Sequence, residues 1–367
     1  MKYKIKSKYI TLISIVLFSS CSTIFPILIP FQDIPAPTGL FSVGTRVFNW
    51  EDDKREEWFT EKGGDFRKIV VQVWYPADKV SGDPAPYLDF AKRRVKPISK
   101  RVDLPPFMIN HIQKVKSNSY MNATLKSATD SYPLVIFSHG LGGMRMQNTI
   151  QMEELASRGF IAIAMDHTFD ANVTVFNDGS MADFRSEFGG DVITDEFWDI
   201  LLPQINTRVA DVSFVLDQIQ KFQSGNDDFW NMIDLDRVGI MGHSFGGGTA
   251  IVASSKDKRF DACIALDGWL VPIEQSIINS GLTVPFLFMG QAQWENPLNY
   301  DNLDTLIASS TGVAEKLILS GTKHFDFSDT PQFSSASKKF GISGSMEMDK
   351  LRNLLNTRII SFFEEYL

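Results

Sequence analysis

Residues Gly242-His243-Ser244-Phe245-Gly246-Gly247 satisfy the pattern G-x-S-x-G. The pattern by itself is common. Here it directly follows the apolar run Arg237 to Met241 and directly precedes a stretch rich in Gly, Ala and Ser over 246–255. A strand, a sharp turn and a helix in that order lift a serine hydroxyl above a sheet. Glycines at 242 and 246 suit a turn too tight for side chains, and a helix N-terminus behind Ser244 favours developing negative charge. The chemistry this suggests is acyl transfer through a serine nucleophile.

A serine hydroxyl needs a base within hydrogen-bond reach and a carboxylate that orients the base. At such an elbow the chain order is Ser, then acid, then His. Of the five histidines only His324 follows Ser244, in a loop after the run Leu317 to Ser320, so it is the expected base. His139 lies in a glycine turn and His243 precedes the nucleophile; both are candidate pocket residues. His167 follows a strand and suits the rim, and His111 reads as a surface residue. Asp267 ends the apolar run Ala262 to Leu266, where sites on parallel sheets gather, and leads as the acid. Glu295, Asp301 and Asp304 follow the next strand and remain rivals; Asp166 and Asp170 break the order and read as structural or rim groups. Two backbone N–H groups must receive the oxyanion. Phe245, after the nucleophile, supplies one. The turn Ser138-His139-Gly140-Leu141-Gly142-Gly143 supplies the other, from Leu141 first and Gly140 next. Trp269, close behind Asp267, is a candidate pocket wall.

The elements that must position these groups are short. Strands are expected at 68–75, 134–138, 160–165, 237–241, 262–266, 284–289 and 317–320, and helices at 148–158, 205–222, 246–255 and 351–366. Continuous apolar strands between helices imply an α/β fold with a mostly parallel central sheet and helices on both faces, the α/β-hydrolase arrangement. Residues 83–131 read as irregular, and the basic stretch Lys92 to Arg101 within them reads as a solvated face, with contact to anionic lipid headgroups as the alternative. The aromatic-rich segment 168–198 reads as a long loop. Within it Phe184, Phe188 and Trp198 are candidate substrate contacts, against simple packing on the sheet.

With 44% hydrophobic and 22% charged residues, the chain of 367 can bury a sizeable core and is not a disordered or polytopic membrane protein. The formal charge is −8, and without the four lysines of residues 1–20 it is −12. A domain that acidic is not expected to bind nucleic acid by counterion release. Lys2 to Lys8, the apolar run Ile10 to Phe18 and then Ser19-Ser20-Cys21 read as a secretory signal, too short to span a bilayer. The small residues before Cys21 resemble the lipobox of bacterial lipoproteins, which implies a lipidated Cys21, a membrane surface as partner and a place in the cell envelope. Residues 1–20 are then the signal, 21–40 a tether and 41–367 one catalytic domain. The other cysteine, Cys263, sits in an apolar run and reads as a buried core residue.

Several segments together resemble the plasma-type platelet-activating factor acetylhydrolase family, also called lipoprotein-associated phospholipase A2. They are Phe137 to Gly142 (FSHGLG), Gly242 to Gly247 (GHSFGG), Lys258-Arg259-Phe260, Ala265-Leu266-Asp267-Gly268-Trp269, His324 to Asp329 (HFDFSD) and Phe41 to Gly44 (FSVG). The resemblance implies Asp267 as the acid, Leu141 and Phe245 as oxyanion donors, and no metal or cofactor. It implies hydrolysis of a short or oxidised sn-2 ester of a phospholipid. The alternatives are an esterase of the same fold acting on other small esters or polyesters, and a binding module that kept the fold without catalysis. A dienelactone-type hydrolase would need Cys where Ser244 stands.

Overall fold

The computed structural model describes residues 24–78, 80–128, 130–186, 195–225 and 227–367. The expected signal over 1–20, Cys21 and Phe188 lie outside the described residues.

Nine strands form one sheet: β1 (Ser42–Glu56), β2 (Phe66–Ala77), β3 (Ser119–Met121), β4 (Tyr132–Ser138), β5 (Ile161–Asp166), and, after a two-stranded hairpin β6 (Val173–Val175) and β7 (Met181–Asp183), β8 (Ile233–His243), β9 (Ala262–Leu266), β10 (Phe286–Gln291) and β11 (Ala314–Leu319). Their order across the sheet is β11-β10-β9-β8-β4-β5-β2-β1-β3. From β5 to β11 the pairs are parallel; β2 runs antiparallel to both β5 and β1. This is the mostly parallel sheet that the alternation of apolar runs and helices implies.

Period-2 side-chain alternation divides the core. Leu134, Ile136, Ile161, Ile163 and Ile240 face one side with Cys263 and Phe288. Val135, Phe137, Ala162, Ala164 and Met241 face the other with Ile264 and Met289. Helices α3 (Asp195–Gln223) and α4 (Phe245–Lys256) cover the first face; α2 (Thr149–Ser157) and α5 (Met348–Tyr366) cover the second. Cys263 has no exposed surface, and burial pushes its thiol pKa up to about 12, so it is inert packing.

Four stretches differ from the sequence reading. Residues 83–131 are not irregular. They form helix α1 (Ala91–Arg101), two short helical turns over Pro106–Ile109 and Asn110–Lys114, and β3. The basic stretch is not all solvated, since Arg94 is fully buried, bonded to the Asp89 carboxylate at 2.8 Å and the Val173 carbonyl at 2.7 Å. A helix with its apolar stripe turned inward carries whichever cation lies on that stripe inward too, provided a carboxylate meets it. Helix α3 begins ten residues before Ile205, because Phe197 and Leu201 continue its buried stripe at i, i+4 spacing. The segment before it contains the β6–β7 hairpin instead of an unbroken loop.

The fourth is the segment expected as a tether. From Ile29 onward it packs on the body. Thr38 donates from N and Oγ1 to the Glu154 carboxylate at 2.8 and 2.6 Å, and Gln32 N donates to Phe333 O at 3.0 Å. Ile29 and Ile34 enter a separate apolar cluster with Tyr87, Leu88, Val95, Ile109 and Ile112, which also takes in Met146 and Ala336. This cluster is the core of a cap over one end of the sheet. Among the described residues no helix is long and apolar enough to cross a membrane.

Candidate active site

Strand β8 ends at His243 and α4 begins at Phe245, so Ser244 alone makes the turn, at φ 57° and ψ −122°. A side chain holds such a backbone only when the surroundings over-determine it. The close approach is visible at both glycines. A Cβ on Gly242 would sit 2.1 Å from the Gly246 carbonyl oxygen, and one on Gly246 would sit 2.0 Å from that of Ser138. The Ser244 carbonyl accepts from Gly247 N at 2.9 Å and from Trp269 N at 2.8 Å, which ties the elbow to the loop after β9.

That loop holds Asp267, fully buried, at φ 44°. Its carboxylate accepts at every face. Oδ2 takes His324 Nδ1 at 2.6 Å and Gln291 Nε2 at 3.0 Å; Oδ1 takes Gln291 N and Trp294 Nε1, each at 3.0 Å. An ionised carboxylate only accepts, so the His324 proton sits on Nδ1 and Nε2 is left free to accept one. The rivals fall away: Glu295 and Asp301 are exposed, and Asp304 pairs with Lys316. Asp166 and Asp170 are structural, paired with Arg145 and Arg208.

His324 is not in an open loop. It starts a 3-10 turn (His324–Phe327) whose Asp326 accepts from Lys323 N and Gly344 N, each at 2.8 Å. Its carbonyl accepts from His243 Nε2 at 3.0 Å, and Gln147 Nε2 donates to His243 Nδ1 at 2.7 Å. Burial, reinforced by His324, pushes the His243 pKa well below the usual imidazole range, so His243 stays neutral and does not compete for the serine proton. Neither His243 nor His139 walls a pocket. His243 is 3% exposed and His139 not at all. The His139 ring braces its own turn, donating to the Gly140 carbonyl at 2.7 Å and accepting from His167 N at 3.2 Å. His167 likewise lies buried between Ser138 Oγ and Asp211, away from the rim, and His111 is half-buried with its Nε2 bonded to the Ile29 carbonyl at 2.7 Å. Trp269 is half-buried, against Phe245 at 5.7 Å and Phe197 at 6.2 Å, and does stand beside the elbow.

The oxyanion turn is set from beneath. Arg208 on α3, buried and paired with Asp170, donates to the His139 carbonyl at 2.5 Å and the Gly140 carbonyl at 3.4 Å. A trans peptide sends its C=O and N–H in opposite directions. Holding the Gly140 carbonyl inward therefore turns the Leu141 N–H outward. Gly140 N is already bonded to Gln147 Oε1 at 3.2 Å, whereas the N–H groups of Leu141 and Phe245 meet no protein acceptor among the described residues. Two open backbone donors are what an oxyanion requires. Burial alone would raise Asp170, but Arg208 outweighs it and holds the carboxyl below its usual range. Replacing Arg208 with Met strands that charge. The expected cost is about 3–5 kcal/mol, read by urea unfolding, together with a lower kcat as the Gly140 peptide is released.

Gln291, Trp294, Gln147 and Arg208 were not singled out from the sequence. Gln291 ends β10, so the rule that sites gather at strand C-termini could have flagged it; the others carry no local signal. Of the aromatic candidates, Phe184 lies under the Arg101 guanidinium at 5.2 Å, and Trp198 packs edge-on to Phe197 at 5.2 Å. Among the described residues no group of His, Cys, Asp or Glu could hold a metal ion.

Beside the oxyanion turn opens an apolar cavity of about 230 Å³. Gly142, Gly143 and Gln147 form its near wall together with Phe325, the neighbour of His324; the cap forms the rest, through Ile98, Ile109, Ile112 and Phe333.

Comparison with known proteins identifies the family. The family described as "Platelet-activating factor acetylhydrolase, isoform II" matches residues 29–367. The platelet-activating factor acetylhydrolase of Canis lupus familiaris is 26% identical over 361 residues, 91% of this chain and 77% of its own. That of Gallus gallus is 27% identical over 284 residues, 70% of this chain and 67% of its own. A protein of Arthroderma benhamiae named "Probable 1-alkyl-2-acetylglycerophosphocholine esterase" is 27% identical over 251 residues, 64% of this chain and 58% of its own. Among solved structures, a ferulic acid esterase from Streptomyces cinnamoneus superposes with a TM-score of 0.74 at 26% identity, covering 92% of this chain and 93% of its own. The chain thus belongs to the platelet-activating factor acetylhydrolase, isoform II, family and is a carboxylic ester hydrolase of the α/β-hydrolase fold.

Proposed function

We propose that this enzyme hydrolyses the short or oxidised sn-2 acyl ester of phospholipids through Ser244, His324 and Asp267. His324 Nε2 takes the proton from Ser244 Oγ as that oxygen bonds to the ester carbonyl carbon. The oxyanion is received by the N–H groups of Leu141 and Phe245, each worth about 2.7–4 kcal/mol at the transition state. The imidazolium, steadied by Asp267, passes the proton to the leaving alcohol oxygen as its bond to carbon breaks. Water repeats the sequence on the acyl-enzyme, with His324 again as base.

The observation that carries the substrate reading is the cavity. A dry cavity of about 150 Å³ holds a benzene, so an apolar cavity of about 230 Å³ suits a short acyl chain. The names of the relatives point the same way. The test is hydrolysis of a short-sn-2 phosphatidylcholine against a long-chain one by residues 24–367. Turnover of the short ester only is expected; equal turnover of both sinks the proposal. A second reading, a general esterase, has the ferulic acid esterase neighbour in its favour. It predicts cleavage of simple aryl esters with no phospholipid turnover.

Arg101 separates the two. Its guanidinium donates to the Leu141 carbonyl at 3.2 Å, and in the phospholipid reading this cation takes the phosphodiester. Arg101→Gln is expected to raise KM for the phosphocholine ester severalfold and to leave KM for p-nitrophenyl acetate where it was.

We further propose that the enzyme is exported and works at a membrane surface, anchored by a lipid on Cys21. Exposed apolar side chains collect around the cavity mouth: Val102, Phe325 and Phe340 on its lining, Phe107 against Phe25 at 5.3 Å, and Ile27 and Leu28 on the preceding segment. Exposed apolar side chains of this kind suit contact with lipid. Flotation of the full chain with liposomes, lost in Cys21→Ser, is the expected result; unchanged flotation of that variant rules the anchor out.

A further inference from the structure

We infer that residues 29–34 form the gauge of acyl-chain length, with Ile29 and Phe31 as the side chains that close the acyl cavity on the cap side. This deepens the proposed function and rests on it.

The cavity is lined on one side by Gly142, Gly143, Gln147 and Phe325, which neighbour the residues of the site, and on the other by the cap. Ile29 and Phe31 are part of its lining on the cap side. These belong to neither the sheet nor the helices that carry the site. They belong to an extended strap that enters from the N-terminal side. The strap lies between two parts of the cap. On one side is the 3-10 turn at 110–114, where His111 Nε2 is bonded to the Ile29 carbonyl at 2.7 Å and its ring lies 4.7 Å from Phe31. On the other side is the short helix Thr330–Phe333. Gln32 N donates to Phe333 O at 3.0 Å, Gln32 Nε2 donates to Gln332 O at 2.8 Å, and the Phe333 ring lies 5.9 Å from Phe31. Beyond it Ile34 N is bonded to the Lys116 carbonyl at 3.2 Å, and Ile34 is 3% exposed.

Hydrogen bonds on both sides pin the strap, so its backbone cannot leave without breaking them, and the His111 and Phe333 rings flank Phe31. An acyl chain entering from the oxyanion turn therefore meets a fixed apolar wall. Each methylene that fits displaces water and is favourable, while the first that does not fit must push against a packed ring. A pocket of that kind discriminates by roughly 10–200-fold per methylene. The wall comes from the strap, so truncating its side chains lengthens the pocket without touching Ser244, His324 or Asp267.

The test compares kcat/KM for p-nitrophenyl esters from acetate to decanoate, below their aggregation limits, in the wild type, Phe31→Ala, Ile29→Ala and Phe31→Trp. A second series varies the alcohol of acetate esters. The two alanine variants are expected to raise the octanoate-to-acetate ratio about tenfold. Phe31→Trp is expected to lower the butyrate-to-acetate ratio. The ratio is taken within each variant, so a general loss of activity or stability does not enter it. If an alanine variant does not fold, Phe31→Leu and Phe31→Trp give the same opposed shifts. An unchanged acyl profile in active variants overturns the gauge, as does a shift in the alcohol series instead. If the wild type cleaves no ester in a Ser244-dependent way, the reading of the site itself fails and the gauge with it.

Discussion

Ser244→Ala is expected to lower kcat for the short-chain ester by on the order of 10⁶-fold and to leave the fold intact. The nucleophile is the only group it removes. Alanine keeps a Cβ, so the strained turn at φ 57° remains as it was, and among the described residues the hydroxyl makes no hydrogen bond that packing would miss. Residual catalysis comes from the open N–H groups of Leu141 and Phe245, which still polarise the carbonyl toward water. Two measurements check this: single-turnover kinetics, where the acyl-enzyme burst disappears, and thermal melting, where Tm stays put. Ser244→Gly adds a third. Glycine adopts positive φ without strain, so this variant is equally inactive but more stable, by about 1–3 kcal/mol. A Ser244→Ala enzyme retaining even a tenth of wild-type activity removes Ser244 from the mechanism.

Asp267→Asn is expected to cost about 10⁴-fold in kcat with a modest change in stability. The reason lies in the four donors around the carboxylate. Gln291 N and Trp294 Nε1 both donate to Oδ1, so the amide oxygen must occupy that position and the NH2 group must face His324. His324 Nδ1 then has to accept, its proton moves to Nε2, and the ring can no longer take a proton from Ser244. The NH2 group also meets Gln291 Nε2, a donor facing a donor, which Gln291 relieves by turning its amide over. The expected signature is a large fall in kcat with KM little changed and partial recovery at high pH. Loss of folding, or a KM effect alone, contradicts the tautomer argument. Trp294→Phe, which removes one donor from Oδ1, is the milder companion.

The elbow was legible in the sequence because its determinants are local. Gly242 and Gly246 are required by backbone contacts within a few residues and by the neighbouring strand β4, and a strand–turn–helix pattern announces them. His324 followed from chain order, since only it comes after Ser244. The parallel sheet followed from apolar runs of the right length, and the two faces of the core from period-2 alternation. Asp267 stood among rivals, and it took the family resemblance to raise it above them. What set it apart physically was the convergence of donors from β10, from the loop after it and from a turn 57 residues further on. Only the tertiary structure could supply that. The same holds for Arg208. Its place on α3 looks like any cation on a helix until the fold sets its guanidinium under the His139 and Gly140 carbonyls. Arg94 misled for the same reason in reverse: a basic run reads as solvated until a buried partner appears. The strap at 29–34 has no periodicity to betray it, because its hydrogen bonds go to residues far along the chain. Sequence determines what backbone sterics and side-chain periodicity decide within a few residues. The pairing of buried donors with buried acceptors is decided across the whole fold, and that pairing aims the oxyanion turn, holds the imidazole and closes the cavity.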